Sequence, residues 1–481
     1  MRLRRLIKLC KTGLKFCCFL LTFLLITERI LEDGEEQSQV KTSLNKHTVV
    51  KRQPTEEVPF KVVLDEIPSQ NMNKNHKDAA VFSNSTAIIP GLYRVFGFGY
   101  DIFLFSAVVG NSSAINTWDT IVIQGWEHRM FENTTFGCCI KYKSGDMISV
   151  NMTRKYHWAY RDKVSMPVKQ YLCPNPRYKL NDLPVAVTIS GHTKQTACHR
   201  RFNWYLEPYF ARAHKEEIAV CTKMVYGSVS ADDILSWFEI HRRLGVNKVL
   251  TYSYNLNPEA AKVLQYYESQ GLVETFSFRL PKASRGRKVS QVGVKNMQAW
   301  NDEQIPVFDC LEKLKGYKYL AVIDMDEYLI PKEVKTWPQL FDNLWKVRPW
   351  AAGYTFLVHL HITSWGVTNN SSRFTVGKYI NRTAALVDRV KHVTRPDRLG
   401  IGGLSTHMYT PNWEKKYKRF QAKESEATIH HFRACRKDWE KRASNKTCMK
   451  IARITDTSLV DILSPIEEDI VKLKASISDH S

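Results

Sequence analysis

The sequence predicts an α/β protein: a mostly parallel sheet with flanking helices, preceded by a β-rich region and an apolar anchor at the N-terminus. Three observations predict it. From Glu216 onward, apolar β-type runs alternate with segments whose apolar residues recur at helical spacing. Between Ala80 and His214, short β-type runs are separated by Gly, Asn and Asp, without a helical period. Ahead of both stand a basic cluster, an uncharged apolar stretch and a polar segment with few aromatics.

The N-terminal segment comes first. Arg2, Arg4, Arg5, Lys8, Lys11 and Lys15 precede the apolar run Phe16–Thr27. That run is shorter than the ~20 residues of a spanning helix, but snorkelling of Lys11 and Lys15 lets the stretch back to Leu6 add to it. No small-x-small cleavage site follows, so residues 1–31 read as a cytoplasmic tail and uncleaved signal anchor rather than a cleaved signal peptide. The basic residues ahead of the run place the N-terminus in the cytoplasm. A surface amphipathic helix fits poorly, because the run is apolar on every face. Residues 32–79 read as a flexible stem, rich in Glu, Gln, Lys, Asn and Ser. Residues 80–214 form the β-rich region, 215–450 the α/β domain, and 451–481 a C-terminal tail with a peripheral helix.

Within the α/β domain "EIAVCTKMVYG" is a strand. "SADDILSWFEIHRRLGV" follows as a helix, with Ser230 and Asp233 as its capping box and Ile234, Phe238, His241 and Leu244 on one face. "NKVLTYSYN" is the next strand. Pro258 opens a helix that Gly271 stops. "LVETFSFRL", a helix around Pro306–Leu314 and the strand "YKYLAVID" complete the alternation. Such alternation implies a parallel sheet, whose ligands bind beyond the carboxyl ends of the strands.

The chain has 481 residues, 43% of them hydrophobic, enough for one large or two ordinary cores. Its net charge of +22 favours anionic or phosphorylated ligands. After the first residues the charge is spread out, with no basic arm for nucleic acid. Sequons at Asn84, Asn111, Asn133, Asn151, Asn369, Asn370, Asn381 and Asn445 suggest a glycosylated, lumenal chain. Cys10, Cys17 and Cys18 lie in or before the anchor; the other eight of the 11 cysteines form an even set suited to disulfides. Cys221 and Cys310 are as readily buried thiols as bridges. No C-x-x-C pair exists, and "GFG" at Gly97–Gly99 is no phosphate loop. "SRGRK", Ser284–Lys288, reads as an exposed basic turn before it reads as a diphosphate site.

The chemistry concentrates in "AVIDMDEYLIP". An apolar strand ends in Asp324, Asp326 and Glu327. In an extended backbone Asp324 and Asp326 point to the same side and would offer two oxygens to a hard divalent cation. An EF-hand is excluded, since Leu329 stands where its glycine belongs. A bare D-x-D is more often a capped turn with solvated acids. Here its place at a strand terminus in a lumenal α/β region favours a metal and diphosphate site. His407, His430, His431 and Arg433 follow later in the chain; in a strand His430 and His431 face opposite sides, so one of them at most meets that metal.

The order "ADDILSWFEIHRRLGVNKVLTYSYN", "LQYYESQGLVE", "FDCLEKLKGYKYLAVIDMDEYLIP" and "IHHFRAC" resembles glycosyltransferase family 92, the DUF23 family, over roughly Ala80 to Cys435. The combination that carries it is Asp309-Cys310, then the D-x-D-E, then a late His-aromatic-Arg, with Phe432 where Tyr is common. "FLFSAVVGN" resembles the family's N-terminal Ser-Ala strand. The resemblance implies a GT-A fold and a single-pass type II protein of the Golgi membrane with its catalytic domain lumenal. It also implies a Mn²⁺-dependent galactosyltransferase using UDP-galactose on the core fucose of N-glycans, with inversion. By that resemblance Asp324 and Asp326 bind donor and metal, and His431 is the late metal ligand. The catalytic base stays open among Asp388, Asp397, Glu424 and Glu426. The alternative is a catalytically silent lumenal glycan-binding protein. A glycosidase using Asp324 and Glu327 has no supporting motif.

Overall fold

The computed structural model describes residues 61–64, 93–97, 100–110, 119–128, 135–156, 164, 166–180, 182–190, 198, 205–227, 229–280, 301–435 and 448–479. Val58–Ser481 form one compact unit. The expected anchor, residues 1–31, and "SRGRK" lie outside the described residues. Among the described residues no helix is long and apolar enough to cross a membrane.

The N-terminal part is all β, as its short apolar runs predict. A seven-stranded sheet includes Lys61–Leu64, Tyr93–Gly97, Tyr100–Val109, Thr120–Glu127 and Val168–Pro174. A three-stranded sheet of Gly137–Tyr142, Met147–Asn151 and Pro184–Ser190 packs with it around Ile102, Leu104, Ile123, Ile140 and Val187. Gly125 is required where two strands cross closely: a Cβ there would stand 2.4 Å from the Phe103 carbonyl oxygen.

The second part is built on a nine-stranded sheet. Its strands in chain order are β1 (His214–Gly227), β2 (Lys248–Leu256), β3 (Val273–Ser277), β4 (Tyr317–Val322), β5 (Glu327–Pro331), β6 (Ala351–Ile362), β7 (Leu386–Thr394), β8 (Lys418–Gln421) and β9 (Ala427–Arg433). Its α-helices longer than one turn, among the described residues, are α1 (Ala231–Arg243), α2 (Pro258–Ser269), α3 (Gln304–Lys313), α4 (Trp337–Val347), α5 (Ser458–Leu463) and α6 (Glu467–Asp479). The spatial order is β3-β2-β1-β4-β7-β6-β9-β5, with β8 beside β6.

The sheet is mixed, which corrects the expectation of a mostly parallel one. β3, β2, β1 and β4 are parallel neighbours, as the strand–helix alternation requires. β7 then enters antiparallel to both β4 and β6, and β9 runs parallel to β6 but antiparallel to β5. The physical reason lies after the acids. There a tight turn joins β4 to β5, α4 joins β5 to β6, and loops lead on to β7 and β9, so a regular strand–helix–strand crossover no longer holds the strands to one direction.

Local signals act as read. The Ser230 hydroxyl accepts from the Asp233 N–H at 3.0 Å, and Asn257 caps α2 through the Ala260 N–H at 2.8 Å. Gly245, at φ +97°, ends α1; a Cβ there would strain the backbone and press on the Pro338 ring at 2.9 Å. Helices α1, α2, α4 and α6 bury Trp237, Phe238, Tyr267, Phe341 and Ile470 on one sheet face. On the other face α3 and the N-terminal sheet bring Phe105, Trp126, Phe308 and Leu311 against Tyr252 and Leu320.

The eight cysteines from Cys138 onward are all paired, as Cys138–Cys173, Cys139–Cys198, Cys221–Cys310 and Cys435–Cys448. The alternative of free thiols at Cys221 and Cys310 is thereby settled: their bridge ties β1 to α3. Replacing both with Ala should lower stability by about 2–5 kcal/mol, read as a lower urea midpoint; an unchanged midpoint would show that the bridge adds nothing. Of the sequons, Asn151 and Asn370 are exposed, whereas the Asn369 side chain donates to the Gly377 carbonyl at 3.0 Å.

Buried histidines give this fold a pH dependence. Burial lowers His241 to about 3, and His361 and His392 to about 4. The unfolded rings titrate near 6.5, so below about pH 6.5 the unfolded state binds more protons than the folded one. The stability these rings contribute is complete above that value and falls as pH drops toward 4. Urea unfolding should give a midpoint at pH 5 lower than at pH 7, a loss of roughly 3–6 kcal/mol. Equal midpoints would contradict neutral buried rings.

Candidate active site

The site grows from the turn that ends β4. After Val322 the chain does not stay extended: the Glu327 N–H donates to the Asp324 carbonyl at 3.0 Å, closing a tight turn over "DMDE". The Glu327 carboxylate returns to accept from the Asp324 N–H at 2.8 Å. The indole of Trp237 on α1 braces the turn, donating to the carbonyls of Glu327 at 3.0 Å and Asp324 at 3.2 Å. This corrects the extended-strand picture, in which Asp324 and Asp326 point the same way. Turn geometry separates them, and each finds different partners.

Asp326 and Glu327 meet His431. β5 and β9 pair so that Glu327 and His431 are direct cross-strand partners, and the Phe432 N–H donates to the Asp326 carbonyl at 2.9 Å. His431 Nε2 lies 3.2 Å from Asp326 Oδ2, and Nδ1 lies 3.2 Å from Glu327 Oε1. A neutral imidazole has one N–H and cannot serve both carboxylates. Glu327 Oε1 and His431 Nδ1 are buried and have no hydrogen-bond partner. Such facing, unsatisfied donor atoms are what a divalent cation would satisfy, and the three side chains offer ligand atoms within 4.8 Å of one another.

Asp324 stands apart from that trio, between two lysines. Lys223 Nζ is 3.0 Å from Oδ1 and Lys391 Nζ is 2.8 Å from Oδ2; Lys391 also reaches Glu327 Oε2 at 2.9 Å. Lys223 further faces Glu303 Oε2 at 3.7 Å. Burial pushes the Asp324 carboxyl up, but Lys223 and Lys391 together outweigh it and hold it well below the usual carboxylate range. Burial likewise opposes ionisation of Asp326, and His431 overcomes it, so Asp326 is also lowered. Glu327 is raised, because its full burial outweighs the pull of Lys391.

The remaining histidines divide. His407 lies beside the lysines, its Nδ1 donating to the Val390 carbonyl at 3.2 Å; burial first, then Lys391 and Lys223, lower it to about 2. His430 takes the opposite face from His431 and bonds His361 at 2.9 Å. Three base candidates fall away from the cluster. Asp397 pairs with Arg395 at 3.3 Å beyond Thr394, toward the start of β4. Glu426 sits past the Pro331–Ala427 pair, at the other end of β5. Glu424 contacts His359 at 3.5 Å on the His430 face. Asp388 lies on β7, its side chain outside the described residues.

Lys223, Lys391 and Trp237 were missed by sequence reasoning. A signal was present for the first: Lys223 is the one charge in the largely apolar "AVCTKMV", where it needs an acidic partner, whereas Lys391 stands among other polar residues in "VDRVKHV" and is not singled out.

Fold and site thus define an α/β protein with an acid cluster at the carboxyl end of a parallel strand, where such sheets bind their ligands. The chain belongs to glycosyltransferase family 92, whose profile matches residues 216–466, just over half of the chain. That membership makes it a glycosyltransferase, acting between a sugar donor and a glycan acceptor. No curated protein matches it. Among solved structures it is similar to the crystal structure of HddC from Yersinia pseudotuberculosis, at 9% identity and a TM-score of 0.23, over 53% of this chain and 99% of that one. A TM-score this low carries no argument.

Proposed function

We propose that the chain is a GT-A type hexosyltransferase of the Golgi membrane. In this reading it moves galactose from UDP-galactose to a glycan acceptor, the core fucose of N-glycans among them, with inversion. The observation that carries the reading is the Asp326–Glu327–His431 cluster, with its facing unsatisfied oxygen and nitrogen, at the carboxyl end of β4. These three residues would hold the divalent cation, with Mn²⁺ favoured because one ligand is an imidazole. Bound there, such an ion neutralises charge on the leaving nucleotide diphosphate. The chain's own contribution is positioning. Trp237 and the Glu327 carboxylate lock the turn, and the β5–β9 register presents His431 opposite Glu327. Asp324, held ionised by its lysines, lines the donor side of the turn.

UDP release by the purified full chain, measured over a panel of UDP-sugars with Mn²⁺ or EDTA and with or without a fucosylated N-glycan, tests the reading. Metal-dependent release from UDP-galactose, raised by the acceptor, is expected. Glycan binding without release from any donor would favour a silent glycan-binding protein instead.

A further inference from the structure

We propose that Lys223 and Lys391 are positioning residues that act as a built-in second cation: with Asp324 between them they fill the place a second divalent ion would otherwise take, so that the site accepts a single ion. The inference rests on the metal-site reading given above.

Four carboxylates, Glu303, Asp324, Asp326 and Glu327, gather at the end of β4. Two-metal sites are built from acids gathered in this way, and their paired ions clamp the attacking and leaving oxygens of a displacement. Here the groups form a chain of alternating sign. Glu303 faces Lys223, Lys223 faces Asp324, Asp324 faces Lys391, and Lys391 faces Glu327, at 3.7, 3.0, 2.8 and 2.9 Å in turn. Each oxygen of Asp324 already meets an ammonium, so a metal ion beside it would meet two positive charges. The trio of Asp326, Glu327 and His431 lies at the far end of this series, where among the described residues Asp326 has no lysine partner.

Both lysines are placed at a cost. Lys391 is fully buried and Lys223 nearly so, and a buried ammonium persists only when paired. Lys223 sits where the β1–β2 register slips between Cys221 and Met224, at φ +57°, a left-handed conformation unfavourable for any residue with a side chain. The bulge lets Lys223 reach Asp324. With histidines counted neutral, four carboxylates and two ammonium groups leave two negative charges, which one divalent ion balances. An anionic diphosphate can then approach without facing uncompensated acids.

Mn²⁺ binding to the full chain without donor, followed by the spectroscopic signal of the free ion, tests this apart from turnover; UDP binding at saturating Mn²⁺ is measured beside it. The wild-type chain should take one Mn²⁺. K391M should take two and bind UDP roughly tenfold more weakly, while K391R keeps the wild-type stoichiometry. D324N should bind Mn²⁺ within about threefold of wild type, whereas D326N should lose roughly tenfold to a hundredfold. A folded K391M that binds Mn²⁺ like the wild type would overturn the proposal, as would a D324N that loses as much affinity as D326N. If K391M does not fold, the comparison of D324N with D326N decides. A wild-type chain that binds no Mn²⁺ would overturn the metal-site reading itself, and this inference with it.

Discussion

Replacing Asp326 with Asn is expected to lower Mn²⁺-dependent UDP release at least about a hundredfold in a chain that melts within a few degrees of the wild type. The two halves of that expectation have different causes. Asp326 is half exposed, and its side chain meets the His431 ring at 3.2 Å. Removing its charge therefore opens no cavity and strands no buried ion, so the stability cost is small. The loss of function is large because the cluster has only two carboxylates on this side of the turn. Glu327 is one, and burial already raises its pKa, so it holds charge less readily than an exposed acid. Without Asp326 the remaining pair cannot supply the same charge and geometry. Steady-state UDP release at several Mn²⁺ concentrations checks the prediction. A rate restored by high Mn²⁺ would locate the defect in metal affinity. A rate equal to the wild type would remove Asp326 from the site.

The largest stability effect is expected at Asp309. Its Oδ1 accepts from Ser106 at 2.7 Å; its Oδ2 accepts from Tyr252 at 2.6 Å and pairs with Lys313 at 2.8 Å. Asp309 and Lys313 are both buried, the latter with its ammonium over the Phe276 ring at 3.2 Å. Asp309→Ala removes one partner of a buried pair and leaves the ammonium and two hydroxyls without their acceptor. Such losses cost about 3–5 kcal/mol. Ser106 comes from the N-terminal sheet, Tyr252 from β2 and Lys313 from α3, so this carboxylate joins the two parts of the molecule. Urea unfolding followed by tryptophan fluorescence should show the shift. The double variant Asp309→Leu with Lys313→Met should recover part of the loss, because no charge is then left unpaired. A single variant as stable as the wild type would mean that Lys313 finds water or another acid.

Much of the fold was legible because its signals are local. The capping serine of α1, Pro258 at the head of α2 and the apolar run of β4 each act within a few residues, and each stands where its pattern placed it. The mixed sheet was not legible. Strand direction after the acids depends on how β7 and β9 return from distant loops, and an apolar run reads the same in either direction. The cysteine pairing was invisible for a related reason: partners are chosen by three-dimensional proximity, not spacing.

The candidate site divides in the same way. The sequence by itself determined that acids end a buried strand, that a late histidine could join them, and that the chain is a family 92 glycosyltransferase, because residue type and order carry those facts. Only the tertiary structure decided which acid does what. Asp324, Asp326 and Glu327 are nearly adjacent in the chain, yet the turn gives Asp324 to Lys223 and Lys391 and gives Asp326 and Glu327 to His431. A carboxylate's role is set by the charges within a few ångströms of it, and here those charges arrive from β1, β7 and β9, strands that only folding brings to one place.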